Sequence, residues 1–194
     1  MLRIGITGGI GAGKSLIARV LEHMGYPVFY SDREAKALYD THQVLKSELI
    51  ALIGNELYDA TGFKKDLLIQ AIFENPSLKE KIENLVHPKV RAAFEDWAAQ
   101  QSAELVFNEA AILFETGAYL HLNANILVTA PIELRLQRVA TRDGLSIREI
   151  EKRIQVQWSD EQKLRLADYI IVNDGNAILK QIETIVQELL KGKN

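Results

Sequence analysis

The chain has 194 residues, of which 47% are apolar, and it carries a formal net charge of −3 at pH 7 with no cysteine. This length fits one large domain, or a domain with an inserted subdomain, and supplies enough apolar residues for a real core. The lack of cysteine excludes a disulfide framework and cysteine–zinc sites, and the slightly acidic balance disfavours nucleic acid as a partner.

The chain begins with a short apolar strand at residues 2–7, followed by a glycine-rich stretch. No signal-peptide core precedes that stretch, and no apolar run approaches the ~18 residues of a membrane span. We therefore expect a cytoplasmic protein with no membrane partner. Apolar residues then recur at helical spacing from Leu16 to Met24, and Gly25 is expected to end this helix.

A second strand is predicted at residues 27–30, and residues 33–100 are predicted to be almost entirely helical. The helical pattern breaks before Pro88. Because a residue that precedes proline avoids the helical region, we expect His87 at a junction of two helices, with Pro88 in the first turn of the second.

Three further strands are predicted at residues 105–107, 126–128 and 169–172. Each is short and continuously apolar, as in a parallel sheet that is covered on both faces. A charged stretch at 133–166 contains a capping box, Ser146 to Glu149, which predicts a new helix. With a last helix at 177–190, the pattern favours a three-layer α/β domain that has a five-stranded parallel sheet and a helical insertion.

The stretch Gly8-x-x-x-x-Gly13-Lys14-Ser15 has the spacing of a P-loop and lies between a predicted strand and helix. Glycines let backbone N–H groups surround phosphate oxygens, and the helix N-terminus adds partial positive charge. Lys14 is expected to reach the β- and γ-phosphates of ATP, and the Ser15 hydroxyl to ligate Mg²⁺. The alternative is a glycine-rich turn that only links strand to helix. The predicted nucleotide-binding residues of this stretch are Gly11, Ala12, Gly13, Lys14, Ser15 and Leu16.

A P-loop alone leaves two classes of protein open, a small-molecule kinase and a GTPase-type switch or binding module. The guanine-reading Asn-Lys-x-Asp segment of a switch is missing from the sequence, and so is a Gly-x-Gly-x-x-Gly dinucleotide fingerprint in the opening stretch. A kinase also needs an acceptor site and cations over the transferred phosphoryl group. The kinase class is therefore favoured.

Asp32 follows the second strand, and ligands of open α/β sheets bind beyond the carboxyl ends of the strands. Asp32 is thus a candidate general base for an attacking hydroxyl, or an N-cap for a helix that begins near Arg33, and the two roles are compatible. Glu109, after the third strand, is a candidate second-shell acid toward Mg²⁺ or substrate ligand, or a structural acid.

The stretch 133–166 supplies candidate phosphate-binding cations and has the character of a lid. Arg135, Arg138 and Arg142 share one helical face, and Arg153 precedes Gln157 by one turn. The alternative, for about half of the basic residues, is a solvated helix face held by ion pairs. His87, as a lone histidine before a proline, is by spacing alone more typical of a structural residue.

Taken in order along the chain, these motifs closely resemble the dephospho-CoA kinase family. The resemblance covers nearly the whole sequence and is highly specific as an ordered set. Its motifs are Ile6–Ser15, Ser31-Asp32, His87-Pro-Lys-Val-Arg91, Ile112–Glu115, Gln137-Arg138, Arg142–Ser146, Arg153 with Gln157, Ala167-Asp168 and Asn173-Asp-Gly175. The sequence departs from the family pattern at Tyr30, Leu16, Lys64-Lys65 and Ala111-Ile112.

The resemblance implies transfer of the γ-phosphoryl group of ATP, with Mg²⁺, to the ribose 3′-hydroxyl of dephospho-CoA. It implies a P-loop kinase fold like that of nucleoside monophosphate kinases, as one domain over residues 1–194. The core would be about 1–32, 101–132 and 167–194, the CoA-binding helical subdomain 33–100 and the lid 133–166.

The resemblance also implies roles for particular residues, in a monomer or weak homo-oligomer. Lys14, Asp32, Arg138 and Arg142 would be catalytic, and Asn173 and Gly175 would join the nucleotide site. The substrate would contact Asp32, His87, Arg91, Glu109, Arg153 and Gln157. Another P-loop kinase, acting on a nucleotide or a small alcohol, is the alternative reading.

Overall fold

A computed structural model describes residues 1–192 of the chain. The chain forms two compact units. The first, here called the core unit, consists of Met1–Tyr30 and the chain from Ala98 onward. The second, here called the helical unit, is Ser31–Trp97.

The strands of the described residues are β1 (Leu2–Thr7), β2 (Val28–Tyr30), β3 (Tyr58–Asp59), β4 (Gly62–Phe63), β5 (Leu105–Glu109), β6 (Ala124–Thr129) and β7 (Tyr169–Val172). The α-helices are α1 (Lys14–His23), α2 (Ser31–Thr41), α3 (Gln43–Ile53), α4 (Lys65–Glu74), α5 (Ser77–Ala99), α6 (Ile132–Asp143), α7 (Ile147–Gln155), α8 (Asp160–Leu164) and α9 (Ile178–Lys191). Within residues 1–192, none of these helices has the length and apolar character needed to cross a membrane.

The core unit is built on a five-stranded sheet in the order β2-β5-β1-β6-β7, in which every neighbouring pair is parallel. Its central strands are buried on both faces, which explains why their sequences are apolar without alternation. Apolar side chains of α1 and α9 pack with the sheet in the main core, among them Ile17, Leu21, Ile182 and Val186. The predicted three-layer α/β fold with a five-stranded parallel sheet is confirmed.

Helix α1 ends as its sequence predicts. Gly25 has a φ of +91°, a left-handed conformation that favours glycine, and its N–H donates to Glu22 O at 3.0 Å. The next N–H, of Tyr26, donates to Leu21 O at 3.0 Å. These bonds satisfy the last carbonyls of the helix and turn the chain into β2.

The helical unit has its own apolar core, formed by Leu38, Leu45, Leu49, Leu57, Leu68, Ile82 and Val86. It also contains a hairpin, β3–β4, where the sequence predicted helix. The Asp59 carboxylate accepts bonds from the Thr61 N–H at 2.8 Å and the Thr61 hydroxyl at 2.6 Å, and Gly62 follows with a φ of +113°. This side-chain turn competes successfully with helix, and the Asp-x-x-Gly spacing was its signal.

The expected helix junction at Pro88 is wrong, because α5 runs without interruption from Ser77 to Ala99 with Pro88 inside it. Proline has no N–H for the carbonyl four residues earlier and disfavours the helix interior. Buried apolar side chains on both sides of it, including Val86 and Phe94, keep the helix continuous. The local rule is overridden by packing.

The charged stretch forms three helices, α6 to α8, joined by short turns. The capping box is confirmed, because the Ser146 hydroxyl accepts from the Glu149 N–H and the Glu149 carboxylate accepts from the Ser146 N–H. A second capping box, Ser159 with Gln162, begins α8. The last helix, predicted at 177–190, is α9 at Ile178–Lys191. Residues 193 and 194 of the predicted core lie outside the described residues.

Candidate functional site

A cavity of about 420 Å³ opens in the core unit at the junction of the glycine-rich loop and α1. Its lining contains four cationic side chains and no acidic one. The lining residues are Gly11, Gly13, Lys14, Ser15, Leu16, Arg19, Tyr30, Arg138, Val139 and Arg142. An electropositive pocket at a helix N-terminus suits a polyanionic ligand such as a nucleotide phosphate chain.

The loop that precedes α1 is shaped by its own backbone and by Lys14. Gly13 takes a φ of +100° as the N-cap of α1, and its carbonyl accepts the Leu16 N–H at 2.9 Å. The Lys14 ammonium donates to Gly8 O at 2.9 Å, across the loop. The first turn of α1 holds no acidic side chain. The positive end of the helix dipole is therefore open to an anion.

Asn173, which follows β7, supports this loop from below. Its side chain is 2% exposed, and its Nδ2 donates to Ala12 O at 2.8 Å. A Cβ on Gly13 would lie 2.0 Å from the same Nδ2, so only glycine leaves room for this contact. The structure thus brings Asn173 to the loop, where its amide contacts protein main chain. Gly175 lies farther along, exposed and outside the cavity lining.

Arg138 connects Asn173 to the cavity. Its Nη2 donates to the Asn173 carbonyl at 3.1 Å and to Asn173 Oδ1 at 3.3 Å. Its Nη1 is buried and has no hydrogen-bond partner among the described residues. A buried guanidinium N–H without an acceptor is costly, and an anionic oxygen in the cavity would satisfy it.

Arg142 lies one turn farther along α6 and also lines the cavity. Its side chain is 65% exposed and makes a two-pronged contact with Asp143, with Nε–Oδ1 at 2.7 Å and Nη2–Oδ2 at 2.9 Å. These hydrogen bonds raise the pKa of Arg142 and lower the pKa of Asp143. Arg142 is thus held in place by its own neighbour at the cavity edge.

Arg135 does not join Arg138 and Arg142 at the cavity. It is 6% exposed, and its guanidinium pairs with Asp160 at 3.2 Å. It forms an ion pair, as in the alternative that the sequence left open, but the pair is buried and does not belong to a solvated helix face. The first turn of α6 packs against the glycine-rich loop. The side chain of Arg135 therefore points into the protein, although it shares a helical face with Arg138.

Gln157 contacts the glycine-rich loop, whereas Glu109 and Arg153 do not line the cavity. The Gln157 amide spans two segments, accepting the Ile10 N–H at 2.9 Å and donating to Ala111 O at 3.4 Å. Glu109 is the last residue of β5, not a residue after it as predicted, and it pairs in register with Ile6 of β1. The strand is longer at this end because the pairing with β1 continues to Glu109. Arg153 is exposed on α7.

The helical unit carries the other three predicted residues. Asp32 is exposed in the first turn of α2, which begins at Ser31 directly after β2, so Asp32 is not the N-cap of a helix near Arg33. His87 and Arg91 are one turn apart on the same face of α5 and are half-buried. Burial lowers the pKa of His87, the Arg91 charge lowers it further, and Glu83 opposes both.

Sequence reasoning missed a buried ion pair in the core unit. Lys163 of α8 is fully buried, and its Nζ lies 2.9 Å from Oε1 of Glu115, which also accepts the Trp158 N–H at 3.1 Å. The pair fastens α8 to the chain after β5. The short segment Asp160–Leu164 has no apolar pattern that distinguishes this lysine from its exposed neighbours. Arg19 and Tyr30 of the cavity lining were missed as well.

Comparison with known proteins identifies the family of the chain. The family model described as CoaE, dephospho-CoA kinase, matches residues 2–178. The chain belongs to the dephospho-CoA kinase family. A dephospho-CoA kinase of Bacteroides fragilis is 38% identical over 175 residues, which cover 90% of this chain and 85% of that protein.

Two solved structures are similar over almost their whole length. TT1252 from Thermus thermophilus has 33% identity and a TM-score of 0.83, with 100% of this chain and 98% of that chain covered. Dephospho-CoA kinase from Campylobacter jejuni has 27% identity and a TM-score of 0.72, with 99% and 98% covered. The chain is therefore a kinase of coenzyme A biosynthesis with a P-loop kinase fold.

Proposed function

We propose that this kinase transfers the γ-phosphoryl group of ATP to the ribose 3′-hydroxyl of dephospho-CoA, giving CoA and ADP. The observation that carries the proposal is the cavity at the glycine-rich loop, where Lys14, Arg138 and Arg142 meet the open N-terminus of α1. A site of fixed N–H groups and cations suits phosphoryl transfer, which depends on positioning and charge stabilisation more than on covalent help from the protein.

The phosphate chain of ATP fits the loop of Gly11, Ala12, Gly13, Lys14, Ser15 and Leu16. Lys14 neutralises the β- and γ-phosphates, while Arg138 offers its partnerless Nη1 and Arg142 the remaining N–H groups of its fork. Asn173 acts beneath the loop by holding Ala12. Gly175 lies in the same connection after β7 and has a φ of +101°, a left-handed conformation that favours glycine.

The residues present suit Mg²⁺. Residues 1–192 contain no cluster of three or more histidine, cysteine or acidic side chains that could hold a metal ion alone. Mg²⁺ in such enzymes keeps several waters and binds chiefly through phosphate oxygens with one or two protein groups. The exposed Ser15 hydroxyl in the cavity is such a group. When bound, the ion neutralises charge on the β- and γ-phosphates.

Asp32 is the proposed general base. It follows Tyr30, a cavity residue at the carboxyl end of β2, by two positions along the chain. Its carboxylate orients the 3′-hydroxyl and takes its proton as the bond to phosphorus forms, and the oxygen that bridged the β- and γ-phosphorus leaves on ADP. His87, Arg91, Glu109, Arg153 and Gln157 are the proposed contacts for dephospho-CoA.

The remaining partners follow from this reaction. We infer that the small molecules ATP and dephospho-CoA are its substrates, that neither nucleic acid nor a membrane takes part, and that the enzyme works in the cytoplasm as a monomer or weak homo-oligomer. The net charge of −3 supports the absence of a nucleic-acid partner.

Two analogues of the acceptor test which hydroxyl is phosphorylated. With ATP, the 2′-deoxy analogue of dephospho-CoA keeps the attacking group and should be converted, whereas the 3′-deoxy analogue should give no phosphorylated product. Product formation is followed by mass spectrometry beside ADP release. Phosphorylation of the 3′-deoxy analogue at a rate near that of dephospho-CoA would overturn the proposed regiochemistry.

A further inference from the structure

Ile10, at the tip of the glycine-rich loop, is held on both sides by side chains of the charged segment. Its N–H donates to Gln157 Oε1 at 2.9 Å, and its carbonyl accepts from Arg135 Nε at 2.9 Å. The two peptide groups that flank Ile10 are thus bound, one to α6 through Arg135 and the other to the segment after α7 through Gln157. The loop does not depend on its own backbone alone for its shape.

Arg135 is buried and packs against this loop. Only 6% of it is exposed, and Nη1 donates to Asp160 Oδ1 at 3.3 Å and Oδ2 at 3.2 Å. Asp160 in turn accepts from the Thr129 hydroxyl at 2.8 Å, at the end of β6. A buried cation needs such compensation, and here it is supplied by an acid from a different helix.

Gly9 gives independent evidence of how closely this guanidinium fits the loop. A Cβ at position 9 would lie 2.0 Å from Arg135 Nη2 and 2.6 Å from Cζ. The glycine at this position thus leaves room for the guanidinium, so that arginine and loop pack without a gap. Deletion or shortening of the arginine would leave both an unpaired carbonyl and a void.

We propose that Arg135, with Asp160 as its counter-ion, is a positioning residue that holds the glycine-rich loop in its phosphate-binding shape before ATP arrives. It does not line the cavity, so it acts through Ile10 rather than on the nucleotide. If the loop is ordered in advance, ATP does not have to select a minor conformation, and its apparent affinity is not reduced by the fraction of disordered loop.

The inference rests on the proposed binding of ATP at this loop, and the Arg135→Lys variant tests it. Lysine keeps the charge for Asp160 but loses the planar fork that also reaches Ile10 O. The KM for ATP and the calorimetric Kd of ATP should rise about tenfold, while kcat and the KM for dephospho-CoA stay within about threefold of wild type. A merely structural role would lower the melting temperature and leave the ATP affinity of the folded protein unchanged.

Asp160→Ala gives a second variant, at a side chain that is 27% exposed. Because it leaves the buried Arg135 cation without its counter-ion, the melting temperature is measured beside the ATP affinity. It removes the counter-ion and should weaken ATP binding about fivefold. Glu161→Gln, at the next position of α8, is the matched control and should bind ATP as wild type does. ATP affinity equal to wild type in either folded Arg135→Lys or Asp160→Ala protein would overturn the inference.

Hydrogen exchange of the nucleotide-free protein separates this inference from the proposed function. Arg135→Lys should speed exchange of the amides from Ile10 to Gly13, and unchanged exchange there would also overturn the inference. If wild type bound no ATP, the proposed function would fail, and the positioning role for ATP would fail with it. If wild type binds ATP and the variants bind it equally, only the inference fails.

Discussion

Lys14 stands where the loop becomes a helix, with its ammonium 2.9 Å from Gly8 O in the cavity. The change Lys14→Ala removes a charge that the β- and γ-phosphates meet most strongly as phosphoryl transfer proceeds. We expect turnover to fall by about 10²–10³-fold while the far-ultraviolet circular dichroism spectrum stays that of wild type.

Arg19→Ala is the matched control for Lys14, because it removes another cation from the same cavity, five residues farther along α1. Arg19 is exposed, so solvent screens its charge, and turnover should fall less than about tenfold. Equal losses in the two variants would mean that the cavity uses only its overall positive charge and that Lys14 has no specific role.

Asp32 is predicted to matter for chemistry more than for folding. Asp32→Asn keeps the shape but removes the base, so turnover with dephospho-CoA should drop by about 10²–10⁴-fold while ATP affinity changes less than about threefold. The melting temperature should fall slightly, because a first-turn acid contributes only ~0.3–1 kcal/mol. Glu34→Gln in the same first turn is the control. If both variants lost activity and stability together, the role of Asp32 would be structural.

His87 should make the stability of the protein depend on pH. Its pKa is lowered from the usual 6.5, chiefly by burial, so the unfolded chain binds a proton more readily than the folded one. The stabilisation is therefore present above pH ~6.5 and is lost as the pH falls toward the folded-state pKa. Urea unfolding between pH 7.5 and 5, at about half-unit steps, should show a smaller decline in His87→Gln than in wild type. Equal slopes would contradict this assignment.

The local sequence pattern was enough to predict the glycine-rich loop, but not the side chains that hold it. The spacing from Gly8 to Ser15 predicted a loop that begins a helix, because backbone conformation there is a local property. Arg135 looked like a third phosphate cation, and only the packing of α6 under the loop explains why it points inward. Helical periodicity predicts on which face of the helix a residue lies, but not which other element packs against that face.

Among the elements, α5 tests whether packing outweighs the tendency of proline to interrupt a helix. Pro88→Ala would restore an N–H to the helix interior and remove a steric clash with the preceding turn. The free energy of unfolding by urea should rise by about 1–3 kcal/mol, reduced somewhat by the freer unfolded chain.

Pro76→Ala is the control for that experiment, because Pro76 precedes α5 and breaks no bond inside it. It should leave the free energy of unfolding unchanged or slightly lower. A decrease in stability for Pro88→Ala would mean that α5 depends on the altered geometry at this proline.

Elements were predicted well where their signals are local. The strands β1 and β7, the capping box at Ser146 and the glycine end of α1 match the structure. The β3–β4 hairpin was missed because long helical stripes surround a four-residue turn motif. The length of β5 was missed because its last residues, Asn108 and Glu109, are polar and are kept in the strand by pairing with β1.

For the molecule as a whole, the order of motifs predicted the family, and the alternation of strands and helices predicted the sheet. The helical unit covers Ser31–Trp97, beside the predicted subdomain of residues 33–100. The charged segment at 133–166 belongs to the core unit. Its residues Gln157, Arg135 and Lys163 each contact a part of that unit outside the segment. These contacts join residues far apart in sequence, and no local pattern predicts them.

As proposed above, this P-loop kinase uses ATP and prefers dephospho-CoA as acceptor. The most direct measurement is kcat/KM from ADP release by the purified protein with ATP and Mg²⁺, for dephospho-CoA, AMP, CMP and shikimate in parallel. Because a site built to bind one acceptor rejects others by leaving its polar groups unpaired, the value for dephospho-CoA should exceed every other by at least about 10³-fold. A value for AMP, CMP or shikimate equal to or above that for dephospho-CoA would contradict the account.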